Sequence, residues 1–392
     1  MMFLHHCVIF NGMKVFKRKF LVFFVVALFF PVFSAFTGEV SGTISYIEGT
    51  VDVYRNGELL DWSLVDIGFP VEMYDAIETG DDGLVSLDLT MPSRSGVTVT
   101  VQPNTSFYFE VNRKGGKNRA VFNMMAGSMA YKVQKLTSSD SLDVRTASAA
   151  MGVRGTEFNV VYSPDGGILV LCNEGKVAVE DKKGIQRYAE PGSVVEKVPE
   201  KEIAAFSVDP ADLSMYKSYW VSSRDKVFKA GADTFIKGFA RQYLTFKPRF
   251  DAAYSDMQKI KAVLEKYGSD KSPAQLGQLI QAKAEVSPAV VRMRSVLPVF
   301  EMVYYRLKVL EKYHDEGVGM VVIQSGLTSK QFFTAFKNRK ASMERRLSDV
   351  RYMFKLYNVL NNAAGGGPSI LDAPFGGAPA GNIPTGSIPS KN

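Results

Sequence analysis

Few side chains in this chain can do proton or metal chemistry, and their spacing matters. There are three histidines among 392 residues. His5 and His6 lie at the extreme N-terminus, and His314 falls on an apolar stripe of helical period. A zinc site or a Ser-His-Asp arrangement therefore lacks its parts. Asp75, Asp81, Asp82 and Asp88 offer oxygen ligands of the kind calcium takes, but their spacing fits no standard loop. Asp81-Asp82 is an adjacent carboxylate pair, yet the Gly83 after it reads as a turn. No Walker-type glycine loop is present. The expectation is no enzyme, no cofactor and no metal, with an acidic glycosidase-like pair as the remaining catalytic alternative.

The segment Gly152-Val153-Arg154-Gly155-Thr156-Glu157-Phe158 is the most distinctive. Two glycines flank an arginine, and an alternating apolar run follows. The backbone is expected to bend where glycine bends cheaply. Arg154 could hold an anion between its glycines. The structural alternative has its fork of donors cross the turn to neighbouring carbonyls.

Composition frames these residues. Apolar side chains make up 46% of the chain, enough for ordinary cores. The net charge of +7 hides a split. Residues 36–210 carry a net −9 and residues 211–362 a net +12. Such asymmetry fits two solvated surfaces, mutual docking, or a basic face meeting an anionic envelope polymer. Aromatic residues in the basic half, such as Tyr304, Tyr305 and Tyr352, raise a nucleic-acid reading. An export signal argues against it.

That signal is read at residues 1–36. Lys14, Lys17, Arg18 and Lys19 precede an apolar run from Phe20 to Phe30, and Ser34-Ala35 follows. Cleavage near residues 35–36 is expected, with an uncleaved anchor as the alternative and the chain's sole link to a membrane. Cys7 would be lost and Cys172 left alone, so no internal disulfide is expected. The implied place is a bacterial periplasm or cell envelope.

Residues 37–205 read as an all-β domain, a sandwich, barrel or roll. Short alternating runs recur, opened by glycines such as Gly42, Gly83, Gly96, Gly127, Gly175 and Gly192. Asn56-Gly57 after Val51–Arg55 predicts a hairpin turn with two positive φ angles. Asp165-Gly166-Gly167 predicts another. At Asp209-Pro210 the pattern becomes helical. Residues 209–362 read as a basic helical hairpin or bundle. Pro248 is expected to end one helix, Ser272-Pro273-Ala274-Gln275 to cap another, and Ser287-Pro288 to restart a longer one kinked at Pro298. Thr328-Ser329-Lys330-Gln331 should open the last. Val296, Phe300, Val303, Leu307, Leu310 and His314 form one stripe; Met343, Leu347, Val350, Phe354 and Tyr357 form a second. Lys337, Arg339, Lys340, Arg345, Arg346 and Arg351 should make a solvated face opposite it. Residues 363–392 are a tail with a proline every five residues, from Pro374 to Pro389, and cannot bury a core.

Laid out in order, the β fragments resemble the FecR domain of bacterial envelope proteins. The likeness runs from Ser41 to Val198. It rests on Gly49–Gly57, Val71–Gly80, Val97–Thr105, Ala126–Met129, Val144–Phe158 and Asn173–Val179. Ala147 stands where the family often has proline. The resemblance implies an extracytoplasmic domain, with Gly152, Val153, Arg154, Gly155, Thr156, Phe158 and Gly175 as structural motif residues. Sigma-controlling members carry a cytoplasmic segment before a membrane helix; here at most 19 residues precede the apolar run. The expectation is an exported binding or scaffolding protein making protein or glycan contacts. The alternatives are a sensor or regulator acting through a separate membrane partner, and a carbohydrate-active enzyme.

Overall fold

The computed structural model describes residues 41–91, 96–114, 117–136, 140–269, 274–366 and 371. The expected signal, the Ser272-Pro273 cap and most of the proline-period tail lie outside the described residues. The described residues form a single compact unit. Its architecture is strands first and helices after, as the sequence predicts.

One strand explains the β half. The strand β9 (Lys117–Val133) is 17 residues long and belongs to two sheets. Its first part pairs with β8 (Ser106–Lys114) and, in parallel, with β10 (Asp140–Arg145). Its last part pairs with β7 (Gly96–Val101) and β12 (Glu157–Tyr162). The change of partner falls at Gly127, whose φ is +97°. A Cβ there would lie 2.2 Å from Thr105 Oγ1, so this corner admits only glycine.

From β9 each sheet extends both ways. One continues from β7 through β6 (Leu84–Thr90) and β1 (Ser41–Glu48) to β4 (Pro70–Val71). On its other side it runs from β12 through β13 (Ile168–Glu174) and β16 (Ser193–Lys197) to β17 (Ala204–Ser207). The second sheet runs from β8 through β5 (Ala76–Thr79) and β2 (Val51–Arg55) to β3 (Glu58–Leu59). Beyond β10 it continues through β11 (Ala149–Val153) and β14 (Val177–Asp181) to β15 (Gln186–Ala189). Neither run closes among the described residues, so this is a sandwich-like roll and no barrel. Both inner faces meet in one apolar core, where Phe122 of one face packs edge-on to Tyr131 of the other at 5.4 Å.

The helices are α1 (Leu213–Ala230), α2 (Ala232–Tyr267), α3 (Leu276–Asp315) and α4 (Ser329–Ala363). Asp209 caps a 3-10 turn at Pro210 and α1 follows. A small hairpin of β18 (Val322–Gln324) and β19 (Leu327–Thr328) joins α3 to α4. Thr328 and Gln331 form the expected capping box. Two prolines behave differently from expectation: Pro248 lies inside α2 and Pro288 inside α3, so neither ends or restarts a helix there. Pro298 lies within the continuing α3. An interior proline costs roughly 3 kcal/mol in a helix. Fully buried Phe250 and Met257 on α2, with Val290, Met293 and Leu297 on α3, offset that by packing. The predicted stripes line this second core, with only Val296 partly exposed.

Candidate functional site

The acidic and basic halves dock on each other, and their charges meet in a buried seam. Four elements supply it. The strands β2 and β5 present Tyr54 and Glu78, and helices α3 and α4 present Lys308 and Glu344. Lys308 Nζ sits 2.5 Å from Glu78 Oε2 and 2.5 Å from Glu344 Oε1. Glu344 also accepts the Tyr54 hydroxyl at 2.6 Å and the Tyr304 hydroxyl at 3.2 Å. Glu78 and Glu344 are both more than nine-tenths buried.

Arg351 of α4 is the second anchor. It is 1% exposed, donates to Glu301 at 2.6 Å and Tyr305 at 3.2 Å, and lies over the Tyr108 ring of β8 at 4.6 Å. A solvated arginine was expected here. The β sheet covers it instead, and its planar cation suits a stack between carboxylate and ring. The rest of the predicted solvated face is also partly engaged: Lys337 pairs with Asp315, Lys340 with Glu311 and Arg346 with Asp251.

The seam continues at both ends. Arg306 of α3 donates to the Ser163 and Pro164 carbonyls and lies 4.3 Å from the Tyr162 ring. Those carbonyls lie just before Asp165-Gly166-Gly167, where the chain turns and Gly166 has φ +94°. Lys355 pairs with Glu72 at 2.9 Å, and Arg55 joins Glu72 to Asp75. Tyr74 sits at φ +70°, a strained setting for a bulky residue. It accepts a hydrogen bond from Asn358 of α4 at 2.7 Å and donates to Glu110 at 3.0 Å. The hairpin turn is part of the dock. Asn56 and Gly57 adopt φ +53° and +90°, as an Asn-Gly turn requires, and the Gly57 amide donates to Ser348 of α4 at 3.0 Å.

Burial and charge act against each other along the seam. Burial raises the Glu78 carboxyl, and Lys308 opposes this without reversing it. Burial would raise Glu344 too, but the Lys308 ammonium and the Tyr54 hydroxyl hold it below its ordinary value. Burial would lower Lys308, and the two carboxylates push it well above normal instead. The lysine thus opposes burial at both carboxyls and prevails only at Glu344. These groups face one another across the dock rather than an open cleft, so their chemistry is that of a latch between two bodies.

The motif residues lie elsewhere, inside the β roll. Gly155 and Gly175 have φ +68° and +84°, and a Cβ on Gly175 would come within 2.7 Å of Thr156 Cγ2. Gly152 has open space where a Cβ would go. Val153 and Thr156 are buried, and Phe158 stacks on Tyr131 at 4.7 Å. Arg154 is exposed, and among the described residues it donates no hydrogen bond, so the expected bridge across the turn is not formed there. Three of the four aspartates weighed for calcium serve separately: Asp75 binds Arg55, Asp82 accepts the Thr50 amide, and Asp88 accepts the Thr98 hydroxyl.

Three of the sequence fragments converge on one buried threonine. Thr105 accepts the Ser128 amide at 2.9 Å, and its own amide donates to Thr79 Oγ1 at 2.9 Å. The adjacent Glu78 and Asn104 point outward to Lys308 and Lys312. The knot that shapes the roll thus aims two polar groups at the helices. Residues 75–178 match the family model described as FecR protein. That FecR region is about a quarter of the chain. It begins after the Gly49–Gly57 fragment and inside the Val71–Gly80 fragment of the wider resemblance. It supplies Glu78, Asn104, Tyr108 and the Ser163–Asp165 turn to the seam; the helices beyond it supply the basic partners.

Among solved structures, two of a "putative anti-sigma factor" from Parabacteroides distasonis are similar in part, at 20% and 19% identity. Each alignment covers 36% of this chain and 63% of the other, with a TM-score of 0.30. This chain therefore spans less than two thirds of that protein. No curated protein matches the chain. Among the described residues, no helix is long and apolar enough to cross a membrane.

Proposed function

We propose that this chain is a non-enzymatic sensor or regulator of bacterial envelope signalling that works outside the cytoplasm through a separate membrane partner. The FecR match over residues 75–178 carries this reading. The charged seam supports it physically. Lys308 and Arg351 of the helical half are held by Glu78 and Tyr108 of the β half, which gives an event on one half a direct route to the other. The scaffolding reading drew on the basic half as a free surface for anionic polymers. Part of that charge is turned inward, since Arg306 and Arg351 are buried and Lys308 is engaged by Glu78 and Glu344, which weakens its main support.

Purification of the full chain from envelope fractions tests the proposal. A membrane receptor recovered in stoichiometric amount is the expected result. Recovery with peptidoglycan alone would return the scaffold reading. Export is part of the proposal, and N-terminal sequencing of the protein should find a start near residues 35–36. An intact N-terminus in the membrane fraction would make it an anchored component.

A further inference from the structure

The loop between β3 and β4 is ordered yet holds three large apolar side chains in water. Trp62 is 84% exposed, Leu64 66% and Ile67 64%. Nothing about the loop is slack. Asp61 accepts the Ser63 amide at 2.9 Å and its hydroxyl at 2.8 Å. The Leu64 and Val65 amides close a 3-10 turn on Asp61 and Trp62, and the Ile67 amide donates to Asp66 at 2.7 Å. Both ends are tied to strands: Leu60 to Val53 at 2.9 Å, and Gly68 and Phe69 to Ile44 at 2.7 and 3.0 Å. Val65 drops into the β core, and Phe69 packs under the Arg55 guanidinium at 5.1 Å. The fold thus fixes the loop through Val65 and Phe69 while pointing Trp62, Leu64 and Ile67 outward.

We propose that this loop is a docking knob for another protein, one with an apolar pocket rimmed by lysine or arginine. Large exposed apolar groups on a rigid support mark contact sites, and a tryptophan at their centre is the commonest anchor. Rigidity lowers the ordering cost of binding. The charge around the knob selects the occupant. Glu58, Asp61 and Asp66 are all exposed beside it, and no lysine or arginine occurs between Arg55 and Arg94 in the sequence. Arg345 lies 3.9 Å from Glu58 at the loop's edge. An acidic rim is repelled by an anionic lipid surface and attracted to a basic protein rim. The inference stands independently of the signalling reading, since it concerns only what this loop can hold.

The test is photocrosslinking of the full chain in its own cells, with a benzophenone side chain at position 62, 64 or 67 and a control at exposed Tyr219. We expect one discrete protein adduct shared by the three loop positions and missing from the control. Its yield should fall at least tenfold with Leu64→Ser plus Ile67→Ser (probe at 62) and with Glu58→Lys. Unfolding midpoints of these variants should match the parent, because the replaced side chains are exposed. The proposal is overturned if the loop gives no adduct, gives lipid or a second copy as its only adduct, crosslinks no differently from position 219, or keeps its adduct in the serine variant.

Discussion

Replacing Lys308 by methionine should show what the seam is worth. The side chain keeps its length and apolar stem but loses the ammonium that lies 2.5 Å from two carboxylates. Glu78 and Glu344 would then be left buried with their cation gone. Removing one partner of a buried ion pair costs about 3–5 kcal/mol. Against a total of roughly 5–15 kcal/mol for a folded domain, that is a large share. Urea unfolding followed by circular dichroism and by intrinsic fluorescence measures it. The triple variant Lys308→Met, Glu78→Gln, Glu344→Gln removes the charges together while keeping acceptors for Tyr54 and Tyr304. It should recover most of the loss, because neutral packing often matches a buried ion pair.

Acidity gives the same experiment a second axis. In the parent, the Glu344 pKa is lowered, so its contribution is present above the ordinary glutamate value of 4.5 and is lost as pH falls through the lower folded value. Glu78 is raised, so its ionised form is a penalty at pH above its folded value, and that penalty is relieved as pH falls toward 4.5. Without Lys308, burial dominates at both carboxyls and both become raised. The variant therefore gains stability on acidification from neutrality while the parent does not gain at Glu344. The difference between them should narrow steadily as pH falls from 7 toward the glutamate range. A loss under about 1 kcal/mol, a difference that ignores pH, or a triple variant no better than the single would refute the latch.

Three other outcomes follow from particular contacts. Gly175→Ala should destabilise by about 2 kcal/mol or more, since it adds strain at positive φ to a clash with Thr156, whereas Gly152→Ala should stay within roughly 0.5 kcal/mol; paired urea curves decide this. Thr105→Ala should cost about 1–3 kcal/mol by stranding the Ser128 amide that the Thr105 hydroxyl accepts, and a calorimetric scan should find Thr105→Ser closer to the parent. Burial pushes the Cys172 thiol up to about 11, so a thiol reagent at pH 8 should leave Cys172 unlabelled in the folded protein and label it on unfolding.

The fragments that were legible in the sequence are those where one residue type has a single backbone use. Asn56-Gly57, Asp165-Gly166-Gly167 and Thr328–Gln331 each specify a turn or cap locally, and each forms. Proline misleads because its cost is local and its compensation is not. Nothing near Pro248 in sequence says that Phe250 will stack on Phe300 at 4.3 Å. Glycine spacing misleads at Gly152 for the converse reason, as open space around a glycine has no sequence signature.

Charge is the sharper lesson, because the signal was present and its direction was not. Net charges of opposite sign on the two halves permit docking or two separate solvated surfaces, and counting residues does not separate them. What decides is which basic residues share a helix face with the apolar stripe. Arg351 follows Val350 and lies one turn from Leu347 and Phe354, at the edge of the buried stripe. Lys308 follows Leu307 in the same way on α3. A cation placed at the margin of an apolar stripe can reach past it to a second layer, while one at the centre of the polar face cannot. By that criterion Arg351 belongs with the stripe, and Arg345, two positions from Met343 and largely exposed, belongs to the solvent face. The docked arrangement then follows from helix geometry: the residues at the stripe's margin meet the acidic sheet first.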